Sequence, residues 1–246
     1  MIIMEHAKLI FEDTFDGAEI DSAKWARCPE WLRCNGLCIW NNDLSYPDGE
    51  GHLILRMEWD EENKRVRSGA VWTQGLFRHG YGYYEARIKF PVAPGTWGAF
   101  WLMLGDLNRP TAAEGLEIDV AESIGNEKGH YQSVLHWNYP DLHSVHFLRD
   151  GNGDHIPVYD GQFHTYGVHR AADGYTFYVD GRPAGHATPE QCAPCPLDGY
   201  MLLSCEAAEW AGAGSPACIS HLPAEMVVDY VRVWDGLPFP AEDAPR

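Results

Sequence analysis

The sequence predicts an all-β protein, an antiparallel β-sandwich of the jelly-roll kind, and three observations carry that prediction. Apolar and polar residues alternate over short runs, Asp-Gly turns separate neighbouring runs, and no segment shows a helical period. With no helices to cover a parallel sheet, the chain must pack sheet on sheet.

Each element follows in chain order. The opening "MIIMEHAKLIFEDTFDG" has neither a basic leader nor an apolar run of signal length, so the chain is expected to be cytoplasmic as written, or secreted if a leader has been removed. "GHLILRMEW" is a strand rich in branched residues. In "YGYYEARIKF", Tyr81, Tyr83, Glu85, Arg87 and Lys89 take one face while Tyr84, Ala86, Ile88 and Phe90 take the other, the pattern of a half-buried strand. "GTWGAFWLM", "LEIDVAES" and "SVLHWNY" supply three more runs. Asp173-Gly174 and Asp180-Gly181 offer the backbone freedom of tight hairpins, so "AADGYTFYVDGRP" reads as successive antiparallel strands. "MVVDYVRVW" is the last strand, and the tail "LPFPAEDAPR" is a strap or is disordered. The irregular stretches 111–115 and 204–223 are expected to shape a concave cleft. Residues 1–246 show no break that demands a second domain.

Composition narrows the partners. Acids outnumber bases 36 to 18, a formal charge of −18, which excludes a protein that grips nucleic acid or an anionic membrane, since both require clustered Lys and Arg. No stretch reaches the ~20 apolar residues of a membrane-spanning helix. A neutral or cationic partner and a monomeric state are expected. Ten Trp and twelve Tyr exceed what the core obviously needs, and flat faces with a polar edge suit sugar rings. Seven cysteines cannot all pair within one chain; Cys192 and Cys195 form a C-x-x-C downstream of His186, but the second ligand pair of a zinc site is missing, so free thiols are the expectation.

The chemistry concentrates in "LEIDVAES". In a regular strand Glu117 and Asp119 share a face and Glu122 points away. A β-bulge within Val120-Ala121 would switch the register and bring all three acids to one side. The Cα atoms of Glu117 and Glu122 would then stand roughly 13 Å apart. Long converging side chains could close the carboxyl gap to about 5–5.5 Å, the separation of a retaining glycosidase. Acids this crowded cannot all ionise, so at least one pKa must rise. A solvated acidic face or a divalent-metal site are the other readings of the same cluster.

The motif "EIDVAE" resembles the bulged E-x-D-x-x-E signature of glycoside hydrolase family 16, and "FEDTFDG", "DSAKW", "YGYYEARIKFP", "GTWGAFWLM", "FHTYGV", "FYVDG" and "MVVDYVRVW" are similar to blocks of that family in its order. The resemblance implies a curved jelly roll and endo-acting hydrolysis with retention, with Glu117 as nucleophile, Asp119 as auxiliary acid and Glu122 as general acid/base. Departures are Leu116 where laminarinase-like members carry Gly, His169-Arg170 after "FHTYGV", and Asp13-Thr14-Phe15 for the usual D-E-F. The last bears on a structural calcium ion, for which Asp229 and a carbonyl near Gly49 are the remaining candidates; no cofactor is required by the chemistry.

Around the acids, Trp97 and Trp101 share a strand face, and the resemblance puts Trp101 beside the catalytic row. His136 sits on a run expected to neighbour that row, where a neutral imidazole could bond Glu122 or Asp119. Trp210 resembles a subsite residue of the family, and Asn41 and Arg78 are candidates for sugar hydroxyl contacts. The bulged signature looks like that of β-1,3-glucanases and of red-algal galactanases. The shortage of basic residues favours a neutral β-1,3- or mixed β-1,3-1,4-glucan. An endo-galactanase of agarase or carrageenase type and a non-catalytic β-glucan-binding protein are the alternatives.

Overall fold

The computed structural model describes residues 7–125, 130–150 and 159–239. Eighteen strands occur among them. The first eight are β1 (Leu9–Asp13), β2 (Ala26–Arg27), β3 (Leu32–Arg33), β4 (Cys38–Trp40), β5 (Ser45–Pro47), β6 (Leu53–Asp60), β7 (Arg65–Ser68) and β8 (Ala70–Trp72). The long strands follow: β9 (Gly82–Lys89), β10 (Thr96–Gly105), β11 (Gly115–Ile124), β12 (His130–Trp137), β13 (His143–Asp150) and β14 (His164–Ala171). β15 (Gly174–Val179), β16 (Arg182–Ala187), β17 (Gly199–Ala207) and β18 (Ala224–Trp234) complete the chain. One five-residue helix, α1 (Pro216–Ser220), is capped by the Ser215 hydroxyl accepting from the Cys218 N–H.

The strands form two sheets packed as a jelly roll. The support sheet has eleven strands, with β9 and β18 at its centre, and the site sheet runs β13-β12-β11-β10-β17-β8-β2. One apolar layer fills the space between them. Leu53, Leu55, Met57, Tyr84, Ala86 and Ile88 enter from the support sheet and Phe100, Leu102, Leu104, Leu116, Ile118 and Val120 from the site sheet, each 1% exposed or less. Asp180 (φ 49°) and Gly181 (φ 70°) join β15 to β16 through a two-residue turn with both φ positive. The turn before it centres on Ala172 and Asp173, one residue earlier than the Asp173-Gly174 signal suggests, because Gly174 already pairs with Ala171.

Alternation in β9 holds with one refinement. Tyr83 points to the outer face yet is 1% exposed, because Tyr178, Trp234 and Phe239 cover it. The start of the tail is therefore a strap; residues 240–246 lie outside the described part. Arg170, on the support-sheet strand β14, is completely buried. Its guanidinium donates to the carbonyls of His79, Cys195 and Leu197 and to the Tyr84 hydroxyl, tying two rear loops to the sheet.

Two expectations are corrected here. Asp229 does not offer a calcium ligand: it is the extra residue of a bulge in β18 opposite β9, and its carboxylate is paired with Arg87. Asp13 is also occupied, accepting from the Phe15 N–H and the Trp25 indole with Lys24 3.6 Å away. Guanidinium, indole and ammonium donors take the place of a cation, so this donor set does not fit calcium. The stretch 111–115 is a turn leading into β11 that lines neither cavity of the site. All seven cysteines are free thiols, and His186 contacts Thr176 and not the C-x-x-C pair.

Candidate active site

β11 carries an insertion between Asp119 and Glu122. Against β10, Glu117 opposes Met103, Asp119 opposes Trp101, Ala121 opposes Phe100 and Glu122 opposes Ala99, so Val120 is the residue without a partner. Against β12, Glu117 opposes His136, Asp119 opposes Val134 and Glu122 opposes Gln132, with the same shift between Asp119 and Glu122. Val120 and Ala121 both turn into the core at 0% exposure, which returns Glu122 to the face of the other two acids. A bulge removes a carbonyl from the ladder, and a buried orphan is costly. Here the Val120 carbonyl accepts from the Ser133 hydroxyl at 2.8 Å and the Tyr131 hydroxyl at 3.2 Å, both on β12.

The three acids line one small cavity of about 30 Å³ together with Trp97, Trp101 and Ser204. A larger trough of about 300 Å³ opens beside it, walled by Trp31, Trp40, Trp72, Tyr139 and Tyr200 and sharing Glu117, Trp97 and Trp101 with the first. Glu122 accepts from the Trp97 indole at 2.8 Å and the Gln132 amide at 2.7 Å. His136 Nε2 lies 3.4 Å from an Asp119 carboxylate oxygen, and its Nδ1 meets the Ser144 hydroxyl at 2.6 Å.

Burial raises every carboxyl in the row, and nearby carboxylates add to it. Glu117 is pushed up to about 7 by burial and then by the charge of Glu122, with Arg33 opposing. Burial, reinforced by the charges of Glu122 and Glu117, pushes Asp119 well above its ordinary value. Burial also raises Glu122, against the pull of its Gln132 and Trp97 donors. His136 is driven down to about 4 by burial and by His146, so a neutral imidazole faces Asp119. The row thus crowds three raised carboxyls into a desolvated groove, the setting in which one can serve as proton donor beside a nucleophile. Glu117, Asp119 and His136 also place one ligand atom each within 4.8 Å of one another, a set that could hold a divalent ion.

The other sequence candidates divide. Trp97 and Trp101 line both cavities, the latter with its indole donating to the Ser204 hydroxyl at 3.1 Å. Arg78 reaches only the rim, its guanidinium 5.2 Å from the ring centre of Tyr200. Asn41 is not brought to the groove: its carbonyl caps the turn at Asp43 and its amide donates to Glu30, so both polar ends are used locally. Trp210 sits in the short turn Glu209–Ala211, and its side chain lies outside the described part of the structure. Trp137 points away from the groove and packs on the core, as strand alternation from His136 requires.

Sequence reasoning missed Gln132, Arg33, Glu206 and the trough aromatics Trp31, Trp40, Trp72, Tyr139 and Tyr200. Gln132 was findable, four residues before His136 and thus on the same face. Arg33 was not, because its partner Glu206 is 173 residues away.

The comparisons with known proteins agree with this geometry. A family model described as "Beta-porphyranase A-D, GH16 domain" matches residues 10–236. The chain is 26% identical over 260 residues to glucan endo-1,3-beta-glucosidase A1 of Niallia circulans, covering 92% of this chain and 37% of that protein. It is 33% identical over 258 residues to kappa-carrageenase of Pseudoalteromonas carrageenovora, covering 87% and 61%. It thus spans between about a third and three fifths of these relatives. The laminarinase of Rhodothermus marinus superposes with a TM-score of 0.78 at 22% identity, covering 94% of this chain and 98% of that one, a likeness of fold. The bulged acid row lies inside the matched span, and the chain belongs to glycoside hydrolase family 16.

Proposed function

We propose that the protein is a retaining endo-glycosidase that hydrolyses β-1,3- or mixed β-1,3-1,4-glucan by double displacement, acting as a monomeric single catalytic domain without a cofactor. The observation that carries this reading is the bulge-aligned row of Glu117, Asp119 and Glu122 beside a trough of aromatic faces. In the first step the Glu117 carboxylate forms a bond to the anomeric carbon as the glycosidic C–O bond breaks, and Glu122 gives its proton to the departing oxygen. In the second, Glu122 takes a proton from water, whose oxygen displaces Glu117. Asp119, between them and raised by burial and by both neighbours, is the auxiliary acid of the row.

A neutral substrate is supported by the electrostatics of the trough. Its one cation among the described residues, Arg33, is already matched by the buried carboxylate of Glu206, and the remaining charges there are acidic. A second reading, endo-galactanase, is favoured by the porphyranase description of the matching family model and by the 33% identity to a kappa-carrageenase.

Incubation with laminarin, lichenan, agarose and κ-carrageenan in parallel, with product sizing and anomer detection by NMR, tests the proposal. Oligosaccharides released from laminarin or lichenan with retained configuration support it. Products from the galactans alone transfer the reading to the second substrate class. Activity lost to EDTA and restored by a divalent ion would replace acid/base chemistry with metal chemistry at Glu117, Asp119 and His136.

A further inference from the structure

The floor of the groove changes character across the acid row. Strand register lines up side chains from β8 to β13 in files that cross the site sheet. One file runs Trp72, Leu202, Trp101, Asp119, Val134 and His146; the next runs Tyr200, Met103, Glu117, His136 and Ser144. On the β8 and β17 side the files are aromatic or apolar and belong to the trough. On β12 and β13 they end in two imidazoles and a hydroxyl.

β13 is the edge strand of the site sheet. Its Val145 and Phe147 pack on the core, so Ser144 and His146 turn to the groove, and both are exposed. The Ser144 hydroxyl meets His136 Nδ1 at 2.6 Å while Nε2 faces Asp119 at 3.4 Å, so the polar atoms of His136 are spent on neighbours. His146 stands edge-on to His136, ring centres 5.7 Å apart at 85°. Among the described residues no hydrogen bond engages the His146 ring nitrogens. The two strand spacings from β11 to β13 extend the floor roughly 10 Å past the acids, room for a sugar ring beyond the bond that breaks.

The direction of the substrate follows from the acids. The trough includes Glu117 and not Glu122, so the sugar that bonds to Glu117 lies with the aromatic faces. Glu122 is held from the other side, by the Gln132 amide of β12 at 2.7 Å, and the leaving sugar departs that way. We propose that His146 is a binding residue for the leaving-group half of the polysaccharide, hydrogen-bonding a sugar hydroxyl at the edge of the sheet. This rests on the reading of Glu117 and Glu122 as nucleophile and proton donor. The cleft then grips its two halves differently, by stacking on the glycone side and by hydrogen bonds that exchange with water on the other. Double displacement benefits from that asymmetry, because the leaving sugar must vacate its place before water can attack the glycosyl-enzyme.

The test uses laminarihexaose and neoagarohexaose labelled at the reducing end, so that each cut is located from its products. His146→Ala and His146→Phe should lower kcat/KM on the hexasaccharide that is cleaved by about 2- to 10-fold, the worth of one neutral hydrogen bond, and by more than on an aryl glycoside of the same glycone. The cuts should move toward the reducing end as the leaving side loses its hold. His146→Gln, which keeps a donor and an acceptor, should retain most of the wild-type pattern. Equal losses on hexasaccharide and aryl glycoside, or full activity in His146→Phe, overturns the proposal. A readout without turnover stands beside these: in Glu117→Gln, the His146 imidazole nitrogen signals, assigned through His146→Phe, should shift when hexasaccharide is added, and signals that stay in place with both sugars overturn the proposal as well. Failure of the glycosidase reading would look different: the wild-type protein would cleave neither hexasaccharide while the His146 signals still answered to sugar.

Discussion

β9 and β11 are interior strands of their sheets, both alternate, and both display charged residues on the face away from the core, yet only one makes a site. On β9 the charges of Glu85 and Arg87 are answered. Glu85 accepts from the hydroxyls of Tyr83 at 2.9 Å and Tyr230 at 3.0 Å, and Arg87 pairs with Asp229 and stacks on Phe163. On β11 three acids meet one another, with neutral donors on Glu122 and a neutral imidazole by Asp119. Both faces depend on a bulge. The one at Asp229 brings a carboxylate to a waiting cation; the one at Val120 brings a carboxylate to two others. A strand pattern therefore does not distinguish support from function. The balance of charge on the exposed face does.

The sharpest break of this comparison is Glu117→Gln, expected to lower hydrolysis by roughly 10⁴-fold or more while leaving oligosaccharide binding by calorimetry in place. Retention of a tenth of the activity would return β11 to the class of β9. Glu122→Gln should cost about 10²–10⁴-fold on glucan and much less on aryl glycosides with good leaving groups, since those need no proton. An equal loss on both substrates would assign the proton to another residue.

A smaller effect is expected from Ser133→Ala, which takes one of two hydroxyls from the Val120 carbonyl. Denaturant unfolding should show a loss of about 1–3 kcal/mol, with kcat falling and KM little changed as Glu122 loses its register. Stability should also depend on pH through β11 and not β9. Glu117 has a folded value near 7 against about 4.3 in an unfolded chain. A raised acid binds its proton more tightly when folded, so its contribution is full below pH 4.3 and is lost as pH climbs through 7. The melting temperature of the wild type should fall across that window more steeply than that of Glu117→Gln; parallel slopes would remove Glu117 as the source. Least of all, Glu85→Gln should cost no more than about 1 kcal/mol in unfolding experiments and leave kcat untouched, and a catalytic defect there would erase the contrast between the strands.

Much of this was legible in the residues, for a local reason. Strand alternation is a period of two, so Tyr84, Ala86 and Ile88 declare their burial without reference to any other strand, and an odd spacing between Asp119 and Glu122 declares a bulge if all three acids are to act together. His136 and Trp101 follow from the same parity once the neighbouring strands are known. What parity cannot supply is pairing between distant segments. The Trp31–Trp40 region reaches the groove through β4, which runs parallel to β7, and through an ion pair closed across most of the chain. Asn41 and Asp229 misled for the complementary reason: each has a residue type suited to a ligand, and each is already satisfied by a neighbour that composition does not reveal.

Arg170 gives the molecule a division of labour between its two ends. Its guanidinium is held by main-chain oxygens, which do not titrate, and by the Tyr84 hydroxyl, which burial pushes up to about 12. The knot behind the support sheet is thus deaf to the acidity that governs the opposite face. Protons can come and go at the reaction centre without loosening the loops that brace it from the rear.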